Sequence, residues 1–140
     1  MNTYAYEEIE IGQEVSFEVD ITEASMRSFR EITGDLNPLH NDAEYAAIKG
    51  YPDRVVYGML TASFLSTLAG MYMPGKNSLI YEVEVKFINP LLMRDGGNLT
   101  VSGKVSEKND MFKRLVIKVS ISNSVSEKIL RGTMKVGVSE

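Results

Sequence analysis

Apolar and polar residues alternate along Glu14–Ile21 (EVSFEVDI), where Val15, Phe17, Val19 and Ile21 fall on one side. That period of two predicts a half-buried strand. The period then changes. Met26, Phe29 and Ile32 recur at helical spacing, Thr22 stands where a helix N-cap is expected, Glu23 puts a carboxylate in the first turn, and Gly34 supplies a stop. A second, short helix is expected from about Asp42 to Lys49, capped by Asn41 or Asp42, before the turn-rich run KGYPDR. Gly58 to Met71 (GMLTASFLSTLAGM) carries no charge on any face, which predicts a helix buried on all sides.

The rest of the chain reads as strand. Tyr81, Val83, Val85 and Phe87 alternate with Glu82, Glu84 and Lys86, and Asn89-Pro90 closes the run. Three more series follow: Leu99, Val101, Gly103, Val105; then Leu115, Ile117, Val119, Ile121; then Leu130, Gly132, Met134, Val136, Val138. Arg94-Asp95-Gly96-Gly97 and Lys108-Asn109-Asp110 are good connecting turns. Short links predict mainly antiparallel pairing. An antiparallel sheet curled around one apolar helix satisfies the order, an α+β class in which the helix covers the apolar sheet face.

Composition narrows the function. With 140 residues, 44% apolar and 24% charged, one globular domain over 1–140 is expected. Fifteen Lys and Arg against nineteen Asp and Glu give a net charge of −4, the wrong field for a general nucleic-acid binder. The absence of cysteine excludes a disulfide scaffold, an iron–sulfur cluster, a thiolate zinc site and a cysteine nucleophile. The acidic start MNTYAYEEIEIGQE has no apolar leader core, and Gly58 to Met73 is interrupted by Thr, Ser and Gly, so a cytoplasmic protein without a membrane span is expected.

The chain has one histidine, His40, five residues after Asp35 in ITGDLNPLHNDAEYA. A helix stop followed by an Asx turn accounts for Gly-Asp-x-Asn-Pro. The same turn can also bring Asp35 and His40 together at a cavity, where such a pair binds and activates a water. One histidine without cysteine disfavours a metal hydrolase, and no metal site is expected. Ser63 and Ser66 lie in the apolar run rather than in a GxSxG elbow, which disfavours serine hydrolysis.

The run Phe29 to Ala46, with its Gly34-Asp35-Leu36-Asn37-Pro38-Leu39-His40 core, resembles the hydratase signature of the MaoC-like, (R)-specific enoyl-CoA hydratase family. Val55 to Ser63 is similar to the start of that family's central helix. The resemblance implies the hot-dog fold, an antiparallel sheet wrapped around a central buried helix. It implies Asp35 and His40 as the catalytic pair and the backbone N–H groups of Gly58 and Met59 as donors to the thioester carbonyl. Asn37 matches the residue that shapes the loop, and Ser63 matches a small polar helix residue that supports the site. Tyr57 stands where many members carry a histidine before the glycine.

The implied reaction is syn addition of water to a trans-2-enoyl thioester, and its reversal. No cofactor is implied beyond coenzyme A or an acyl carrier protein as the substrate's carrier. A homodimer is implied, with no nucleic-acid or membrane partner. Lys86, Arg94, Lys104, Lys113 and Arg114, in or near the sheet, are candidates for carrier phosphates, although ordinary solvated strand faces and turns account for any one of them. Two alternatives differ in one feature each. A hot-dog thioesterase places a carboxylate on the central helix, and Gly58 to Met71 has none. A non-catalytic acyl-thioester binding subunit has no need of a water-activating pair.

Overall fold

In the computed structural model, which describes residues 1–140, all five alternating segments join one antiparallel sheet. The strands are β1 (Glu14–Val19), β2 (Ser78–Phe87), β3 (Leu99–Asn109), β4 (Arg114–Ser122) and β5 (Lys128–Val138). Their spatial order is β1-β3-β4-β5-β2, so β3, β4 and β5 form consecutive hairpins while β1 and β2 are the two edges. The first strand stops two residues short of the expected Ile21. Asp20 leaves the ladder, and its carboxylate accepts the Asn98 amide at 2.7 Å.

Register sorts the side chains. Val15, Gly103, Val119, Gly132 and Val85 form one row across the sheet. Phe17, Val101, Ile121, Leu130 and Phe87 form the next on the same face. These rows, with Val105, Ile117 and Met134, supply most of the sheet's share of the core. The opposite face carries Ser16, Ser102, Ser120, Arg131 and Lys86 in one row and Lys104 beside Lys118 in another.

Strand β2 departs from simple alternation. A bulge between Ile80 and Glu82 takes Tyr81 out of register. Tyr81 therefore does not share a face with Val83, Val85 and Phe87. Its ring lies against Gly137 on the outer face, with the Arg114 guanidinium 3.8 Å above it. The extra residue inverts the side-chain sequence at that point.

The helices follow their signals more closely. The helix α1 (Glu23–Thr33) starts at Thr22, whose hydroxyl accepts the Ser25 amide, and ends at Gly34 in the left-handed conformation. Two short helices follow, α2 (Pro38–Asn41) and α3 (Ala43–Ile48). The turn α2 was not expected; Pro38 at its first position and Asn37 as its cap build it. Asp42 caps α3 by accepting the Glu44 and Tyr45 amides.

The central helix α4 (Gly58–Thr67) widens into a π turn over Leu68–Tyr72. It is not buried on all sides. Leu60, Thr61, Leu65, Leu68 and Ala69 face the sheet, whereas Met59 is 65% exposed and Ser63, Ser66 and Met71 are open to solvent. One face of the helix is thus apolar or small and uncovered. None of the helices is long and apolar enough to cross a membrane.

Gly103 seats this helix. A Cβ at that position would stand 2.8 Å from Leu68 Cδ2 and 3.1 Å from Ile117 Cγ2, so the bare backbone of β3 makes the hollow that Leu68 fills. Gly103→Val is expected to overpack the hollow, costing about 1–3 kcal/mol and lowering the melting temperature by about 3–8 °C in a calorimetric scan.

Candidate active site

The loop after α1 is built by consecutive side-chain bonds. The Asp35 amide donates to Thr33 Oγ1 at 3.2 Å, Asp35 Oδ1 accepts the Asn37 amide at 3.0 Å, and Asn37 Oδ1 accepts the Leu39 amide at 2.9 Å. These Asx bonds fold the chain back at once into α2, which carries His40. Both readings of the motif are therefore present together: the helix stop with its Asx turn is what delivers Asp35 and His40 to one cavity of about 540 Å³.

That cavity is also lined by Phe29, Thr33, Tyr57, Gly58, Met59 and Phe87. Asp35 and His40 are not bonded to each other. His40 Nδ1 lies 2.6 Å from the Val55 carbonyl. A carbonyl only accepts, so Nδ1 carries the proton and Nε2 of the neutral ring is the free acceptor. Asp35 Oδ1 is engaged by Asn37, which leaves Oδ2 free.

Donors stand beside these acceptors. Gly58 and Met59 are the first two residues of α4, whose N-cap Tyr57 makes no side-chain capping bond. Their N–H groups have no partner within the helix and lie at its positive end. A Cβ at Gly58 would meet the Phe87 ring at 3.0 Å, so a side chain there needs that ring to give way. A smaller cavity of about 290 Å³ shares His40, Gly58 and Phe87 with the first and continues among Tyr51, Val56, Pro90, Leu91 and Ile129. Thr61, 1% exposed, lies on its wall with a hydroxyl oxygen that has no partner.

A MaoC-like domain profile matches residues 7–128. The chain belongs to the MaoC-like dehydratase family. It is 32% identical over 105 residues to an (R)-specific enoyl-CoA hydratase of Rhodospirillum rubrum, covering 74% of this chain and 73% of that one. Two solved structures are similar throughout. An (R)-hydratase from Aeromonas caviae involved in PHA biosynthesis superposes with a TM-score of 0.87 at 26% identity, covering 93% of this chain and 97% of that one. An unliganded R-hydratase from Pseudomonas aeruginosa gives 0.88 at 27%, covering 96% and 85%. The fold is the hot-dog fold of these neighbours.

Within this MaoC-like chain, six of the seven residues singled out from sequence meet at the cavity or its frame. Asp35, His40, Tyr57, Gly58 and Met59 line it, and Asn37 caps the turn beneath it. Ser63 does not reach it. Its hydroxyl donates back to the Leu60 carbonyl at 2.6 Å, and the side chain lies on the uncovered helix face. The candidate carrier-binding cations also stand elsewhere: none of Lys86, Arg94, Lys104, Lys113 or Arg114 lines the cavity.

Sequence reading missed Arg30, Asn41 and Thr61. A threonine inside an uncharged, otherwise small or apolar run was a usable signal for Thr61. Arg30 and Asn41 are eleven residues apart and gave none.

The single histidine makes the tautomer directly measurable. A long-range ¹H–¹⁵N spectrum of the neutral imidazole is expected to show a protonated Nδ1 and an unprotonated Nε2. The opposite pattern would place the free acceptor against the Val55 carbonyl and remove it from the cavity.

Proposed function

We propose that this protein is an (R)-specific enoyl-CoA hydratase, equally an (R)-3-hydroxyacyl-CoA dehydratase, working through one water held by Asp35 and His40. The observation that carries this reading is the pair of unpartnered acceptors, Asp35 Oδ2 and His40 Nε2, on a cavity whose wall also holds the two free amides of α4.

A water that donates its two hydrogens to Oδ2 and Nε2 keeps its lone pairs for an electrophile. A trans-2-enoyl thioester with its carbonyl oxygen on the Gly58 and Met59 amides presents C3 as that electrophile. One acceptor takes a water proton as the C3–O bond forms. Charge passes to the thioester oxygen, where the amides and the helix end meet it; one preorganised donor of this kind contributes about 2.7–4 kcal/mol in other enzymes. The proton then returns to C2 from the same side, so addition is syn. Dehydration runs the same steps in reverse.

The carrier is coenzyme A or an acyl carrier protein. A thioesterase reading lacks a helix carboxylate, since the residues of α4 and its π turn include none.

Crotonyl-CoA absorbance at the enoyl-thioester band tests the reaction. Wild type is expected to hydrate it, with kcat/KM about 10²–10⁴-fold lower for Asp35→Asn and for His40→Ala, and little further loss in the double variant. Release of free thiol in place of double-bond loss would make the protein a thioesterase, and absence of both would make it a binder.

The proposal includes a homodimer. Edge strand β2 has an unpaired side; it exposes Val83 and Phe87, and Met59 and Phe87 add exposed apolar surface on the cavity wall. Such an edge needs covering. Sedimentation is expected to give twice the 15.6 kDa chain mass, and Val83→Asp is expected to give a monomer; a monomeric wild type would end this part of the reading.

A further inference from the structure

We propose that Arg30, Asn41 and Tyr57 form a brace of fixed hydrogen-bond polarity that positions Asp35 and His40 for the reaction proposed above. None of the three is a catalytic residue; each acts through the next.

The polarity is forced from one end. Arg30 Nη1 donates to Asn41 Oδ1 at 2.7 Å. A guanidinium has no acceptor, so the Asn41 carbonyl oxygen must face Arg30 and its NH₂ must face the other way. That NH₂ donates twice, to the Asn37 carbonyl at 2.9 Å and to the Tyr57 hydroxyl at 3.0 Å. The phenol oxygen, already accepting, has one proton to give, and gives it to the Asp35 carbonyl at 2.5 Å. Both ends of the Asp35–Asn37 turn are thereby held through one amide, and the Asp35 carboxylate sits between them.

The same tyrosine fixes the other half of the pair. Its ring packs against the His40 imidazole, with centroids 4.2 Å apart, while Phe29 lies 4.8 Å away. Tyr57 is 2% exposed and its carbonyl starts the hydrogen-bond ladder of α4, accepting from Leu60 and Thr61. One rigid residue is thus the common reference for the carboxylate, the imidazole and the helix end that presents the Gly58 and Met59 amides. Misplacement by about 1 Å at such a centre can cost about 10²-fold in rate.

Two variants separate positioning from folding. Tyr57→Phe keeps the ring and removes the bond to Asp35. Asn41→Asp keeps the size and gives Arg30 an ionic partner, but replaces the donor toward Tyr57 and Asn37 by an oxygen that can only accept. Each is expected to lower kcat for crotonyl-CoA about 10–100-fold, with KM changed less than about threefold and the melting temperature of Asn41→Asp held or raised. His40 is expected to keep its Nδ1-protonated tautomer in both, because its bond to Val55 is untouched. Unchanged kcat in both variants would overturn the brace. So would a loss of kcat accompanied by loss of the His40 tautomer or of the folded state, which would make the role structural.

The test also stands apart from the hydratase reading. A wild type inactive on enoyl thioesters would sink that reading alone. The brace would then be judged by the Asn37 amide resonance, which both variants are expected to shift and to expose to faster exchange. An unchanged Asn37 amide would refute it.

Discussion

The hydrogen bond from the Tyr57 hydroxyl to the Asp35 carbonyl is the constraint on which the site depends. It joins a segment that the sheet does not hold to one that it does. Asp35 lies in an exposed loop after α1, and no strand pairs with it. Tyr57 is buried at the start of the central helix, which the sheet does hold. An exposed loop by itself opens locally at little cost. Tied to a buried phenol, the Asp35 turn takes its position from the core, and the His40 ring, packed at a 30° tilt against that phenol, takes the same reference. Preorganisation at the cavity is thus borrowed from the packing of α4 on the sheet.

How much of this was legible in the sequence differs by element, for physical reasons. The N-cap at Thr22, the stop at Gly34 and the strands β3, β4 and β5 are local signals, and local geometry decides them. That Asp35, His40, Gly58 and Met59 share one cavity was legible through the resemblance of two short motifs, the loop around Asp35 and His40 and the start of the central helix. Tyr81 was misassigned because a bulge is one extra residue whose effect is set by the partner strand, not by alternation within β2. The role of Arg30 and Asn41 was invisible for a related reason. Their bond spans the α1–α2 corner, and nothing in either residue's immediate neighbours announces it.

The central helix shows a further limit of pattern reading. An uncharged segment has no polar face to point at water, so periodicity implies burial on every side. Here the face bearing Met59, Ser63, Ser66 and Met71 is open in the single chain, and β2 beside it leaves half its hydrogen-bonding groups unpaired. Composition registers the burial that a segment can accept, not which chain supplies the cover. An uncharged helix lying partly uncovered next to an unpaired strand edge is the signature expected when a second copy completes the layer. Ser63 falls on that face, which accounts for its absence from the cavity within one chain.

Charge placement argues in the same direction about the carrier. The cations nearest to being a phosphate site are engaged or remote. Lys104 faces Glu14, Lys113 lies between Glu7 and Glu140, and Arg114 covers the Tyr81 ring. Glu7 is lowered chiefly by a backbone hydrogen bond and next by its bond to Lys113, and Lys113 is raised chiefly by its bond to Glu7. Lys86, Lys118, Lys128 and Arg131 have no carboxylate partner, but they project from the sheet's outer face, away from the Asp35–His40 cavity. No Lys or Arg lines that cavity, and Met59 and Phe87 on its wall are exposed and apolar. Under the proposed dimer, any cation that meets the carrier's phosphates at this surface comes from outside the cavity of the single chain.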